Sequence, residues 1–206
     1  MQLGSAGAGK ELLNVDVIEA IAARRSVRKF QKEKPIPDDA MQTILRAATQ
    51  APSGKNRQPW RFVVVQADKC AEMVQVMRAG TANMKARGQD IGSSEWTAKV
   101  MEEAPVTVFI LNPHGSAPWL PRSVDQMFMD VVDLQSIGAA IQNMALAAQG
   151  LGIGSLWICD VFHAYEELRQ WLGEEGQMVA AISLGYPNES PGPRPRKAVS
   201  EVARWL

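Results

Sequence analysis

Arg24, Arg25, Arg28 and Lys29 stand close together in the stretch RRSVRKF, in a chain of 206 residues whose 22 Lys and Arg balance its 22 Asp and Glu. Zero formal net charge argues against broad attraction to nucleic acid or to a membrane surface, which calls for a basic field over a whole face. Any anion site must therefore be local. Cations near a helix C-terminus are favoured in their own right, so the cluster alone also reads as a solvated helix end. A second group, Arg194, Arg196 and Lys197, stands in a proline-bearing segment at the other end of the chain. Guanidinium forks suit phosphate, and the Ser26 hydroxyl has the reach to join them, so the two clusters could converge on one phosphate.

Other chemistries find less support. GSAGAGK (Gly4 to Lys10) has the glycine and lysine spacing of a phosphate loop, but Glu11 replaces the Ser or Thr that holds magnesium, and no strand can precede residue 4. GLGIGS (Gly150 to Ser155) follows a helical pattern and enters a strand pattern, the reverse of a dinucleotide fingerprint. It reads either as a helix cap and turn or as backbone left bare for a flat ligand. His114 and His163 lack companion ligands, no serine sits in a G-x-S-x-G setting, and Cys70 and Cys159 are too few for a disulfide framework or a cysteine-rich zinc site. No metal site and no protein nucleophile are expected, and two reduced thiols fit a cytoplasmic location.

The elements that must position these residues follow from periodicity. NVDVIEAIAARRS predicts a helix capped by Asn14, with Asp16 in its first turn, running into the basic stretch. A second helix spans PIPDDAMQTILRAATQAP and ends before Pro52. PSGKNRQPW is a loop at the mouth of the strand WRFVVVQ. DKCAEMVQVMRAG reads as a helix ended by Gly80, and residues 81–94 as polar and mobile. A short helix near Glu95 to Glu103 leads to the strand PVTVFIL, then to the loop NPHGSAPWLPRS, a possible cover for a site. Met127 to Gln149 is apolar on more than one face, as expected of a central helix surrounded by protein. Its Asp133, Gln135, Gln142 and Asn143 argue against a membrane span. The strand GIGSLWICD, the helix FHAYEELRQWL and the strand QMVAAISLG follow, before an extended tail. Two helices precede the first strand, which favours α+β over a doubly wound sheet. The length favours one domain, 1–206, with 1–13 a flexible terminus without an export signal and 81–126 the variable part.

In order, RRSVRKF, APSGKNRQPWRFVVV, IQNMALAAQGLGIGSLWI, ISLGYP and PRPRK resemble the landmarks of the FMN-dependent nitroreductase family. The resemblance implies a central sheet flanked by helices, an intertwined homodimer, and FMN at the dimer interface. It further implies reduction of FMN by NADH or NADPH, then of a nitro compound, quinone or related small-molecule acceptor, in ping-pong fashion. Arg24, Arg25, Ser26 and Arg28 match the family's first FMN motif, and Arg194 and Arg196 its basic pair at the phosphate. Pro52, Ser53, Gly54 and Asn56 match the loop that reaches the flavin from the other subunit. Leu151 to Ser155, with Ile153, Gly154 and Ser155 as the contacts, would pass over the ring. Ala198 departs from a common proline, and Lys99 is the candidate for the lysine usual before the second strand. The same fold carries reductive dehalogenases and flavin-fragmenting enzymes. An alternative of another class, a nucleic-acid or phosphate-binding module without flavin, predicts strongly salt-dependent binding.

Overall fold

The computed structural model describes residues 16–206. The phosphate-loop-like stretch Gly4 to Lys10, the 1–13 terminus and the Asn14 cap lie outside them. A four-stranded antiparallel sheet is built from β1 (Arg61–Gln66), β2 (Val106–Asn112), β3 (Gly154–Ile158) and β4 (Gln177–Gly185), in the order β1-β2-β4-β3. Around it stand α1 (Val17–Ala23), α2 (Asp38–Thr49), α3 (Lys69–Ala86), α4 (Ser94–Glu103), α5 (Val124–Gly150) and α6 (Tyr165–Leu172), with α7 (Val199–Val202) in the tail.

The two central strands are continuous apolar runs because both their faces are covered. In β2, Val106, Val108 and Ile110 face α2 and α5, where Ile44, Ala48, Ile137, Ile141 and Met144 are buried. Phe109 and Leu111 face the opposite layer with Met73, Met77, Met101 and Leu168 from α3, α4 and α6. The register of β2 against β4 shifts between Ile110 and Leu111, which pair with Ala180 and Met178. The skipped Val179 and its neighbour Ala180 therefore both turn toward α2 and α5.

Three expectations need correction. The first helix is capped by Asp16, whose carboxylate accepts from the Ile18 N–H at 2.8 Å, so Asp16 precedes the first turn. It also stops at Ala23 instead of continuing into RRSVRKF, because that stretch is drawn out along the sheet. The third helix runs through Gly80 to Ala86, so residues 81–86 are helical. Gly80 is a packing glycine: a Cβ there would lie 2.5 Å from Ala164 Cβ and 2.7 Å from its Cα. The central helix begins at Val124, three residues before the periodic pattern. Ser123 and Gln126 form a reciprocal capping box, an S-x-x-Q signal present in the sequence.

Candidate active site

The basic segment is an extended strand laid on the sheet's end. The Val27 N–H donates to Ser155 O at 2.9 Å, and Ser26 pairs with Ser155 in parallel. Farther along, the Gln31 N–H donates to Tyr186 O at 2.9 Å and the Asn188 N–H to Lys29 O at 2.8 Å. Val27 and Phe30 are buried, which pins the segment, while Arg24, Arg25, Ser26 and Arg28 are half-buried beside them. The Glu189 carboxylate, from the chain leaving β4, accepts from the Arg28 N–H at 2.6 Å. Arg25 donates to Ala22 O at 2.6 Å and so also closes α1.

A cleft of about 400 Å³ opens here between Arg25, Gly152, Ile153, Gly154, Pro187 and Glu189. Its glycines have different causes. Gly152 has φ +69°, and its N–H and that of Ile153 return to Gln149 O and Ala148 O at 3.1 and 2.8 Å. This is a Schellman end to α5, so the helix-cap reading holds at Gly152, and the Ile153 N–H is taken up by that cap. Gly154 is required by Val27, whose three side-chain carbons lie 2.9–3.0 Å from the position of a Cβ. The missing side chain therefore brings the basic strand against β3.

Among the described residues, none of Arg24, Arg25, Arg28, Arg194 or Arg196 belongs to an ion pair. Arg194 and Arg196 are exposed on the tail, and the hydrogen bonds of Arg196 go only to the neighbouring carbonyls of Arg194 and Pro195. The fold thus gathers the Arg24–Arg28 cluster and Gly152–Ser155 at one end of α5, with the second basic pair on the adjoining tail.

The remaining predicted group lies elsewhere. Ser53 Oγ accepts from the Gln58 N–H at 3.0 Å, and the Gly54 N–H points to Ser136 Oγ at 3.4 Å. A Cβ on Gly54 would collide with Val132. Arg57 reaches buried Asp133 with two contacts of 3.3 Å, an anchor that periodicity could not reveal because its partners are 76 residues apart. Lys55, Asn56 and Gln58 all have positive φ, near +50°. Strained non-glycine backbone of this kind persists where the surroundings over-determine it, commonly at ligand sites. Pro52 and Asn56 are exposed on this loop. Ser136 and Gly150 are 14 residues apart on α5, which at 1.5 Å per residue is about 21 Å. Within one protomer, the loop and Gly152–Ser155 are farther apart than the span of one tricyclic ring.

Burial raises the thiol of Cys70, opposed by Lys32; the Cys159 thiol is raised by partial desolvation, reinforced by Asp160, although its side chain stands exposed. Both are protonated at neutral pH and neither is a thiolate nucleophile. Among the described residues there is no group of three or more metal-ligating side chains, and no helix is long and apolar enough to cross a membrane.

The family model described as "Nitroreductase family" matches residues 21–186. A protein from Archaeoglobus fulgidus named as a NADH dehydrogenase/NAD(P)H nitroreductase is 31% identical over 180 residues, covering 84% of this chain and 87% of its own. The iodotyrosine deiodinase of Thermotoga neapolitana is 27% identical over 188 residues, covering 87% and 91%. Among solved structures, a nitroreductase in complex with FMN from Desulfovibrio desulfuricans superposes with a TM-score of 0.72 at 28% identity, covering 94% of this chain and 98% of that one. The match runs from the helix before the basic strand to the residue after β4, and on that extent the chain belongs to the nitroreductase family, as an oxidoreductase of the FMN-dependent type.

Proposed function

We propose that this chain binds FMN in the cleft between RRSVRKF and Gly152–Ser155, completes that site in a homodimer, and reduces nitro compounds, quinones or related acceptors with NADH or NADPH. The observation that carries the reading is the basic strand itself: several arginines without ion pairs among the described residues, fixed by buried Val27 and Phe30 against the glycine turn. That chemistry fits the group, since FMN offers a phosphate dianion at one end and a flat ring at the other. Arg24 and Arg25, joined by Arg194 and Arg196 from the tail, would hold the phosphate. Ser26 and Arg28 would hold the ribityl and pyrimidine portions. Bound FMN supplies the transfer of hydride from the nicotinamide donor to the acceptor. Arg28 would stabilise the negative charge on the pyrimidine side of the ring, a charge larger in the reduced cofactor, and so raise its potential.

The separation along α5 supports the dimer. The Pro52–Asn56 loop reaches a ring at Gly152–Ser155 only if the two come from different protomers. Val124, Met127, Phe128 and Val131 form an exposed apolar stripe at i, i+3, i+4 and i+7 beside that loop, and α1 exposes Val17, Ile18 and Ile21. A second copy of this chain is the occupant that buries the stripe and closes the site.

A second chemistry at the same site, reductive removal of halide from an aromatic ring, is supported by the likeness to the iodotyrosine deiodinase. The first test is the visible spectrum of the purified protein and identification of the cofactor released by heat. FMN in stoichiometric amount supports the reading; a colourless protein that takes up no added FMN refutes it. Acceptor assays with nitro, quinone and halophenol substrates, reading halide release for the last, then separate the two chemistries.

A further inference from the structure

The chain leaving β4 is laced to the basic strand over a short stretch. Phe30 pairs with Pro187 in an isolated antiparallel bridge, Gln31 Nε2 donates to Pro187 O at 3.0 Å, and the Asn188 N–H donates to Lys29 O at 2.8 Å. Glu189 makes the last tie, its carboxylate accepting from the Arg28 N–H at 2.6 Å. Beyond it, among the described residues, the hydrogen bonds of the tail stay within residues 194–203. Glu189 is therefore the point from which the tail departs. Arg194 and Arg196 follow five and seven residues later, and Pro191, Pro193 and Pro195 favour an extended path to them. At about 3.1 Å per residue, the second basic pair stays within roughly 15–22 Å of this tie.

Glu189 is also the one carboxylate among the residues that line the cleft with Arg25. It forms no ion pair among the described residues; its charge goes to a backbone N–H, in a short hydrogen bond of the charge-assisted kind. The guanidinium groups beside it are thereby left for an outside anion. We infer that Glu189 is a positioning residue of the flavin site: by holding the Arg28 N–H it fixes the tail to the basic strand and delivers Arg194 and Arg196 to the phosphate that Arg24 and Arg25 are proposed to hold, an inference that rests on the FMN reading of this cleft. Without the tie the tail departs one residue earlier, from backbone bonds alone, and its arginines sample a larger volume. Their effective concentration at the phosphate falls accordingly. The charge of the carboxylate opposes an anion in the cleft, so tie and charge act in opposite directions. Glutamine separates them, because its amide oxygen still accepts while carrying no charge.

The test uses the full chain, freed of flavin and titrated with FMN and with riboflavin by flavin fluorescence. Glu189→Ala is expected to raise the FMN Kd about tenfold, the size of one charge-assisted hydrogen bond. The riboflavin Kd should rise by less than about threefold, because riboflavin has no phosphate for the tail arginines to meet. Glu189→Gln keeps the acceptor and should stay within about threefold of the wild type for both ligands. In a chain already carrying Arg194→Ala and Arg196→Ala, Glu189→Ala should cost less than about threefold, since nothing remains for the tie to deliver. Equal weakening of FMN and riboflavin by Glu189→Ala overturns the inference, as does a glutamine variant as weak as the alanine one, or the full loss persisting without the tail arginines. Wild-type or tighter FMN binding by Glu189→Ala overturns it too, and leaves the carboxylate only a charge set against the anion. Amide hydrogen exchange at Arg28, followed by NMR in the flavin-free protein, reports the tie independently of any cofactor. It should be at least about tenfold faster in Glu189→Ala and near the wild-type rate in Glu189→Gln. A wild type that takes up no FMN refutes the cofactor reading, whereas unchanged exchange at Arg28 in Glu189→Ala refutes the tie itself.

Discussion

Replacing Gly154 by alanine tests the link between the sheet and the basic strand. The new methyl would lie 2.9–3.0 Å from Val27 Cγ2, Cβ and Cγ1, against about 3.5–4.0 Å for relaxed carbon contacts. Val27 is 5% exposed, and its Cβ, 3.0 Å from the new methyl, does not move when χ1 rotates, so a rotamer change cannot clear the contact. The strand must move by roughly half an ångström or more, at an overpacking cost of about 1–3 kcal/mol. That movement also loads the Val27 to Ser155 hydrogen bond, itself worth about 1 kcal/mol. Gly154→Ala is thus expected to lose about 2 kcal/mol, which for a chain of this length lowers Tm by roughly 4–8 °C. It should also raise the FMN Kd about tenfold, because the arginines proposed to hold the phosphate travel with the strand. Adding Val27→Ala removes the opposing methyls and should restore at least half of the loss in FMN affinity, a coupling read from a double-mutant cycle by fluorescence titration and thermal melts. Wild-type Tm and FMN affinity in the single variant, or no rescue in the double, would refute the argument.

Arg28→Ala should weaken FMN retention about tenfold or more through loss of a charge-assisted hydrogen bond, and unchanged affinity in a folded protein removes Arg28 from the site. Phe128→Asp places a charge in the exposed stripe of α5 and should give a monomer by light scattering that has lost FMN; a monomer that keeps its flavin counts against a shared site. Gly80→Ala gains up to about 1 kcal/mol of helix propensity but drives a methyl into the Ala164 backbone, so a net destabilisation of about 1–2 kcal/mol is expected in thermal melts, with a Tm rise refuting it. Burial pushes up the Cys70 thiol and the Tyr165 phenol, and the exposed Cys159 thiol is raised by partial desolvation and Asp160. Above the unfolded values of about 8.5 and 10 the unfolded chain releases protons that the native state keeps, so stability falls as pH rises through each window. Tm should therefore decline from about pH 8.5 upward. Tyr165→Phe should flatten the limb above about pH 10 while costing about 1–3 kcal/mol at neutrality, since the Met178 N–H loses its acceptor.

What the sequence made legible was local. The apolar runs Val106 to Leu111 and Met178 to Leu184 read directly as strands because both of their faces are buried, and α2 reads as a helix because its stripe of Met41, Ile44, Leu45 and Ala48 is one-sided. The basic cluster could be found but not shaped. RRSVRKF continues a helical pattern, and only pairing with Ser155 and Tyr186, more than a hundred residues on, draws it out. Gly80 and Gly154 are silent for the same reason: each is dictated by a neighbour remote in sequence, Ala164 or Val27, rather than by its own turn. Thr81 illustrates the limit from the other side. It sits in a segment whose polarity resembles a loop, yet it is buried with an unmet hydroxyl, a property that exists only after α4 has packed on α3.

The long central helix connects these observations to the assembly. One protomer carries the basic cluster proposed to hold the phosphate past the C-terminal end of α5 and the strained Pro52–Asn56 loop near its N-terminal half, about 21 Å apart by helical rise. In the proposed site a single chain supplies two unlike halves, and the proposed twofold dimer would complete both. Binding of FMN by such a site stabilises the dimer by mass action, and the dimer in turn raises FMN affinity, because each ligand of the linkage sees the native pair and not the separated chains. FMN loss and dissociation should consequently follow one another on dilution. The apolar stripe from Val124 to Val131 is then part of the cofactor site's energetics, although none of its side chains need touch the flavin.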